Sequence, residues 1–408
     1  MKKQGIGLLL CMVMIGSSVG PASGTVLLKD KSSPLLTGTT LYVGGSGPNN
    51  YSKIQDAIND ASDGDTVFVY DDSSPYFEAL QITRSISLIG EEKHTTIIDS
   101  GAIKNTSTVN ISADGVLVQG FTIQNCTSLN YWNSGIEIKA DNVLIKGNII
   151  KDNYFGIVVG EKYYYPGETT NHCSIDGNDI YKNHRPLQIS LGNYSTISHN
   201  RITLNELGIW LDYSDNSNIS TNEISENDLY GISLWGGTNN SIFQNNIIGN
   251  HGIGIYLSGS YKNFIFQNNI TGNFGGSYGF FNGTGILLED SFNNSIQQNN
   301  IYKNEIQSTW INTMPFVYMF IMKITPFDNI WDGNYWGRSY QLSKPVCGFL
   351  WFVVPRQMLT LFLHPLELLQ MLLQGGIEVT INFPQRGLPI IKFDGHPAQE
   401  PYDIPGMS

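Results

Sequence analysis

A phrase that recurs every 22 or 23 residues leaves this chain very few architectures to choose from. It reads NDIYKNHRPLQIS, NRITLNELGIWLD, NEISENDLYGISLW and NNIIGNHGIGIYLS, led by Asn178, Asn200, Asn222 and Asn245. A second asparagine follows each leader five places on: Asn183, Asn205, Asn227 and Asn250. Self-similarity at this period without helical periodicity belongs to a stacked coil. The runs Ile209-Trp210-Leu211, Ile232-Ser233-Leu234 and Ile255-Tyr256-Leu257 alternate, are too short for helices, and are bounded by Gly and Asn, so the coil is built of strands. Each rung buries apolar side chains inside a tube and pairs its backbone with rungs about 4.8 Å above and below. The asparagines read as corner residues, because Asn tolerates left-handed backbone and its amide can bond neighbouring backbone or the next Asn in a ladder.

Extending the phrase outward gives leading positions at Gly120, Asn148, Asn178, Asn200, Asn222, Asn245, Asn268 and Asn299, with Gly90 and Gly120 standing where asparagine comes later. A further offset of 30 carries Asn299, Ile301 and Asn304 onto Asn329, Trp331 and Asn334 as a last rung. Longer steps mark insertions at residues 126–134, 161–171 and 274–283, rich in Tyr, Trp, Phe or Gly, and loops on a rigid scaffold commonly carry ligand contacts. At the other end, Ser52-Lys53-Ile54-Gln55 reads as a helix-start box with Ile54, Ala57, Ile58 and Ala61 on one face. This helix is expected to cap the first rung, since an open solenoid end exposes backbone and core. The organisation is then a signal peptide over residues 1–24, a linker over 25–40, the solenoid over 41–340 and an irregular apolar C-terminal cap or tail over 341–408. The signal rests on Lys2, Lys3, the apolar run Ile6 to Val19 and small residues ending at Gly24, and it implies a secreted or cell-surface protein. The tail is apolar at Phe349 to Val354 and Met358 to Leu373 but broken by Pro355, His364, Pro365 and Glu367, too short for a span. Surface or membrane association through it is the alternative to a packed cover.

The net charge of −12 and only 14% charged residues exclude nucleic acid as a partner, which needs a basic stripe. Polyuronates are disfavoured too, because Arg185 and Arg201 are the only arginines across the regular rungs. Past the signal, Cys126, Cys173 and Cys347 are odd in number and lack metal-ligand spacing, so no disulfide framework is expected.

Three N-terminal phrases, Tyr51-Ser52-Lys53-Ile54-Gln55-Asp56-Ala57-Ile58, Gly64-Asp65-Thr66-Val67 and Ile86-Ser87-Leu88-Ile89-Gly90-Glu91, resemble the opening of secreted right-handed parallel β-helix proteins of the pectin-lyase-like superfamily. The N-x-I-x-x-N-x-x-G-I repeat is similar to the NosD-like branch, and Gly333-Asn334-Tyr335-Trp336 with His396-Pro397-Ala398-Gln399-Glu400-Pro401-Tyr402 resembles the tails of archaeal exported relatives. The resemblance implies a right-handed β-helix. It brings in polysaccharide lyases, hydrolases, epimerases and a copper-binding accessory protein as functional relatives, although the matching residues are mostly those the tube itself requires.

Two columns of side chains are singled out. Aligned rungs place Glu137, Gln188, Trp210, Ser233, Tyr256 and Leu287 in one outward column and Lys139, Ser190, Asp212, Trp235, Ser258 and Glu289 beside it. Trp210, Trp235 and Tyr256, with carboxylates at Asp212 and Glu137, are the expected wall for a polysaccharide or other glycan. The other column follows each second asparagine: Tyr154, His184, Glu206, Asp228, His251, Phe274 and Glu305. Its members His184, Glu206, Asp228 and His251 form a candidate site for a divalent metal, copper or calcium, or an acid–base pair. Carbohydrate binding is the leading reading; a polysaccharide-cleaving hydrolase or lyase and a copper-binding accessory protein are the alternatives. The hydrolase signatures of the superfamily do not occur in the sequence.

Overall fold

The computed structural model describes residues 38–101, 103, 106–127, 133–160, 169–275, 283–312, 329–337, 344–350, 388–394 and 397–404. Within them the chain coils as a right-handed parallel β-helix of three sheets, with twelve, nine and twelve strands. A typical rung gives the first sheet Asn218–Ser220, the second Glu223–Ser225 and the third Tyr230–Trp235. All strands pair in parallel except the last, Leu388–Asp394, which runs antiparallel to Lys344–Leu350. The core is a column of Ile, Leu and Val stacked like on like: Ile175, Ile197, Ile219, Ile242, Ile265 and Ile296 on one wall, all fully buried.

The asparagines do what the sequence demands of them. Asn200 donates through its backbone N–H to Asn222 Oδ1 (3.0 Å) and through Nδ2 to the Ile175 carbonyl (2.7 Å) and Asn222 Oδ1 (3.0 Å). The same pattern runs through Asn148, Asn178, Asn222, Asn245, Asn268 and Asn299 to Asn334, and in the second corner through Asn153, Asn183, Asn205, Asn227, Asn250 and Asn273 to Asn304; the two terminal members donate instead to Asp394 and to Gln307. The expectation that the asparagines themselves take left-handed backbone is corrected. The residue before each one does: His199, Thr221 and Gln244 have φ of 54°, 53° and 54°. That geometry costs an L-residue about 1–2 kcal/mol, and it turns the amide inward, where its hydrogen bonds offset the cost.

Register differs from expectation at both ends of the repeat. Phe121, not Gly120, lies on Asn148, since the Phe121 N–H donates to Asn148 Oδ1. The last rung is displaced by 35 residues rather than 30: Asn334 accepts from Asn299, and Trp331 pairs with Ile296. The reason is a third ladder in the remaining corner, Asn240, Asn263, Asn294 and Asn329. With asparagines five apart at 294, 299 and 304, a slip of five residues maps asparagine onto asparagine.

Helix Ile54–Asp60 buries Ile54, Ala57 and Ile58 against the first strands, as patterned. Its N-terminus is not closed by Ser52. Lys53 occupies the cap position, and Glu78 from a later turn accepts from the N–H groups of Ile54 (2.8 Å) and Gln55 (2.9 Å). At the far end Asp394, fully buried, accepts from the N–H groups of Gly333 and Asn334, from Asn334 Nδ2 and from Trp336 Nε1, at 3.0–3.2 Å. Residues 397–404 return to the last two rungs, where Tyr402 exchanges hydrogen bonds with Asn300 and donates through its hydroxyl to the Gly333 carbonyl. The expected signal peptide at 1–24, most of the linker, the loop centres at 128–132, 161–168 and 276–282, and the apolar stretches 351–354 and 358–373 lie outside the described residues. No described helix is long and apolar enough to cross a membrane.

Candidate functional site

The outer face of the third sheet carries the aromatic wall. Strand pairing sets Gln188 against Trp210, Trp210 against Ser233 and Ser233 against Tyr256, and in the next column Ser190 against Asp212 and Asp212 against Trp235. The columns read from the repeat are therefore real neighbours. Trp210 and Trp235 have ring centroids 6.3 Å apart at 45°, and Trp235 meets Tyr256 edge-on at 5.8 Å. Between the indoles lies a depression of about 40 Å³ lined by Leu207, Ile209, Trp210, Tyr230, Ser233 and Trp235. The Trp235 Nε1–H donates to Ser233 Oγ (2.8 Å), which fixes that ring, while the Arg185 guanidinium stands 4.7 Å from the Trp210 ring centre.

Two members of the expected wall stand apart from it. Tyr256 is only 6% exposed. It packs with Ile253 and Leu287, stacks on Tyr230 at 5.3 Å and donates its hydroxyl to Glu289, and burial with that bond raises its pKa. Tyr256 thus supports the wall rather than offering it a free face. Glu137 lies three strands from Trp210, past Val158 and Gln188, where it accepts from Ser107 Oγ (2.6 Å) and pairs with Lys139 (3.1 Å).

Asp212 is the unusual member. It is 7% exposed, its Oδ1 has no hydrogen-bond partner, and burial pushes its pKa up to about 6.

Tyr230 escaped the sequence reading for a definable reason. Counting alternate residues back from Ile232 assigns it to the interior, but the strand turns a corner at Gly231 and the phase changes there. A Cβ on Gly231 would stand 2.6 Å from both the Gly254 carbonyl oxygen and Ile247 Cγ2. The recurring Gly-Ile pair is the visible trace of that corner.

The corner column also stacks in order, each N–H bonded to the preceding rung. His184 Nδ1 pairs with Glu206, and His251 Nδ1 lies 3.6 Å from Asp228 Oδ1. Tyr154 and Phe274 close the two ends, packed on His184 and His251 at 4.4 and 4.9 Å. Desolvation, then the Arg185 charge, lowers the His184 pKa.

A family model described as periplasmic copper-binding protein (NosD) matches residues 93–278 and, overlapping, 166–340. The chain belongs to the NosD family. No curated protein matches it in sequence. Among solved structures this NosD-family chain is similar to XylC in complex with xylose, with a TM-score of 0.54 and 11% identity over 73% of this chain and 83% of that one. It is also similar to the Dettilon tailspike protein, with a TM-score of 0.52 and 14% identity over 73% of this chain and 62% of that one. The A-module of a mannuronan C-5 epimerase from Azotobacter vinelandii follows at 0.49 and 14%, over 69% and 88%. At these identities the likeness is one of fold.

The family's description names copper, and the corner column holds the imidazole and carboxylate groups that could meet it. His184, Glu206, Asp228 and His251 close as two separate imidazole–carboxylate pairs, and among the described residues no three His, Cys, Asp or Glu side chains converge as a metal-binding group. The four do not fit a single copper or calcium centre in this NosD-family chain.

Proposed function

We propose that the chain is an exported NosD-family β-helix that binds carbohydrate at the depression between Trp210, Tyr230 and Trp235. The observation that carries this reading is a pair of half-buried indoles flanking a small, partly enclosed hollow on a rigid sheet, with a carboxylate beside them. Aromatic faces take the C–H face of a sugar ring and an adjoining carboxylate accepts from its hydroxyls; the rigid strands hold both in place at little entropic cost. The fold shared with XylC, which was solved with xylose, is compatible with the reading and adds nothing about the ligand.

Hydrolysis is less well supported by the same wall. Asp212 and Glu289 stand three strands apart, about 14 Å by strand spacing, beyond the roughly 6.5–9.5 Å of an inverting carboxylate pair. Affinity electrophoresis through gels containing neutral glycans tests the proposal. Retardation of the natural chain and its loss in Trp210→Ala/Trp235→Ala, with no reducing ends released, is the expected result. Equal retardation of that variant would remove the depression from the reading.

A further inference from the structure

Three polar atoms on two adjacent strands of the outer face are buried without hydrogen-bond partners: Gln188 Oε1, Trp210 Nε1 and Asp212 Oδ1. Native proteins satisfy nearly all buried polar groups, so a cluster of exceptions calls for an explanation. These three are not scattered. Gln188 pairs with Trp210 and Ser190 with Asp212 across the strands Arg185–Ser190 and Ile209–Asp212, and Gln188 Nε2 donates to Ser190 Oγ at 2.9 Å. The four side chains occupy the corners of a rectangle about 4.8 Å between strands and about 6.7 Å along them, roughly the footprint of one six-membered sugar ring. Gln188, Ser190 and Asp212 are 4%, 4% and 7% exposed. Asp212 also stands against Trp235 on the next strand, so the rectangle shares an edge with the aromatic depression.

We infer that Gln188, Ser190, Trp210 and Asp212 form a hydrogen-bonding subsite for one uncharged, hydroxyl-rich sugar ring, adjoining the depression and resting on the carbohydrate reading above. The unsatisfied atoms specify the ligand. Two acceptors, Gln188 Oε1 and Asp212 Oδ1, require two donating hydroxyls, and one donor, the Trp210 N–H, requires an accepting oxygen. A sugar ring offers both kinds at this spacing. A uronate would bring a second carboxylate against Asp212, whereas a neutral ring meets no such repulsion. Access depends on one indole moving. Trp235 is tied through Nε1 to Ser233, while Trp210, half-exposed and packed against Arg185 and Trp235, makes no such bond and is the ring expected to move.

Isothermal titration with neutral hexasaccharides of glucose, mannose and xylose, and with polygalacturonate as the acidic comparator, tests the subsite. Asp212→Asn and Gln188→Leu, which keep every aromatic residue, are expected to weaken binding of the best neutral hexasaccharide by about tenfold or more, with melting temperatures not lowered for Asp212→Asn. In Trp235→Phe protein, intrinsic fluorescence is expected to change on binding as Trp210 moves. If the natural chain binds a neutral hexasaccharide and both variants bind it equally well, the subsite is overturned and the aromatic reading survives. If polygalacturonate binds more tightly than every neutral probe, the uncharged class is overturned. If no probe binds, the carbohydrate reading falls and the subsite with it.

Discussion

At the scale of the residue, Asp212 of the proposed subsite is placed where burial runs against stability. Its raised pKa, about 6 against an ordinary value near 4, means that the folded chain holds this proton more tightly than the unfolded chain between about pH 4 and 6. The stability it contributes is present below that window and lost as pH rises through it. Asp212→Asn is therefore expected to raise the melting temperature at pH 7–8, by on the order of 1–3 kcal/mol in stability, and to leave it nearly unchanged at pH 4. Thermal melts of both proteins across pH 4–8 check the sign; a variant less stable than the natural chain at pH 8 would contradict the desolvation argument. Gain in stability joined to loss of binding is the expected mark of a residue kept for its ligand. Cys173 illustrates the opposite case. It is buried and free, and burial pushes its thiol up to about 11, so it is expected to resist alkylation in the native protein and to react on unfolding.

The element that matters most is the asparagine ladder. Asn222→Ala would leave the Asn200 N–H and Nδ2 without their shared acceptor and the Ile197 carbonyl without its donor. A loss of about 2–4 kcal/mol is expected in urea unfolding, and a change under 0.5 kcal/mol would show that the ladder is decorative. The ladder was also the most legible part of the sequence, because leaders at steps of 22 and 23 residues admit hardly any other fold. Its details were hidden for specific reasons. Left-handed backbone at Thr221 or Gln244 follows no propensity and is imposed by the corner. The slip of five at Asn329 came from a pattern that repeats within the rung as well as between rungs. Glu78 as the helix cap is a contact across 24 residues that no local motif encodes. The site was half-legible by the same logic: parity put Trp210, Asp212 and Trp235 on one face, but not Tyr230 beyond the corner, nor the burial that withdraws Tyr256.

For the molecule as a whole, stability is expected to concentrate where rungs stack most regularly, since each rung leans only on its neighbours. The C-terminal end depends instead on a contact far away in sequence, Asp394 with Asn334 across 60 residues. Asp394→Ala is expected to speed hydrogen exchange at Gly333 to Trp336 at least tenfold while leaving amides near Asn222 protected. Uniform acceleration along the tube would argue for one cooperative unit.

Along the ladder each Asn Oδ1 accepts from the rung before, and each Asn donates through its backbone N–H and Nδ2 to the Oδ1 of the rung after, while Nδ2 also donates back to a carbonyl of the preceding rung. The run of Oδ1 acceptors therefore goes one way, and its last donors, the N–H and Nδ2 of Asn334, meet the Asp394 carboxyl group. In this corner the run is thereby ended by a carboxyl group of the chain itself, so that Asn334 offers no unpaired donor on which a second tube could begin to stack.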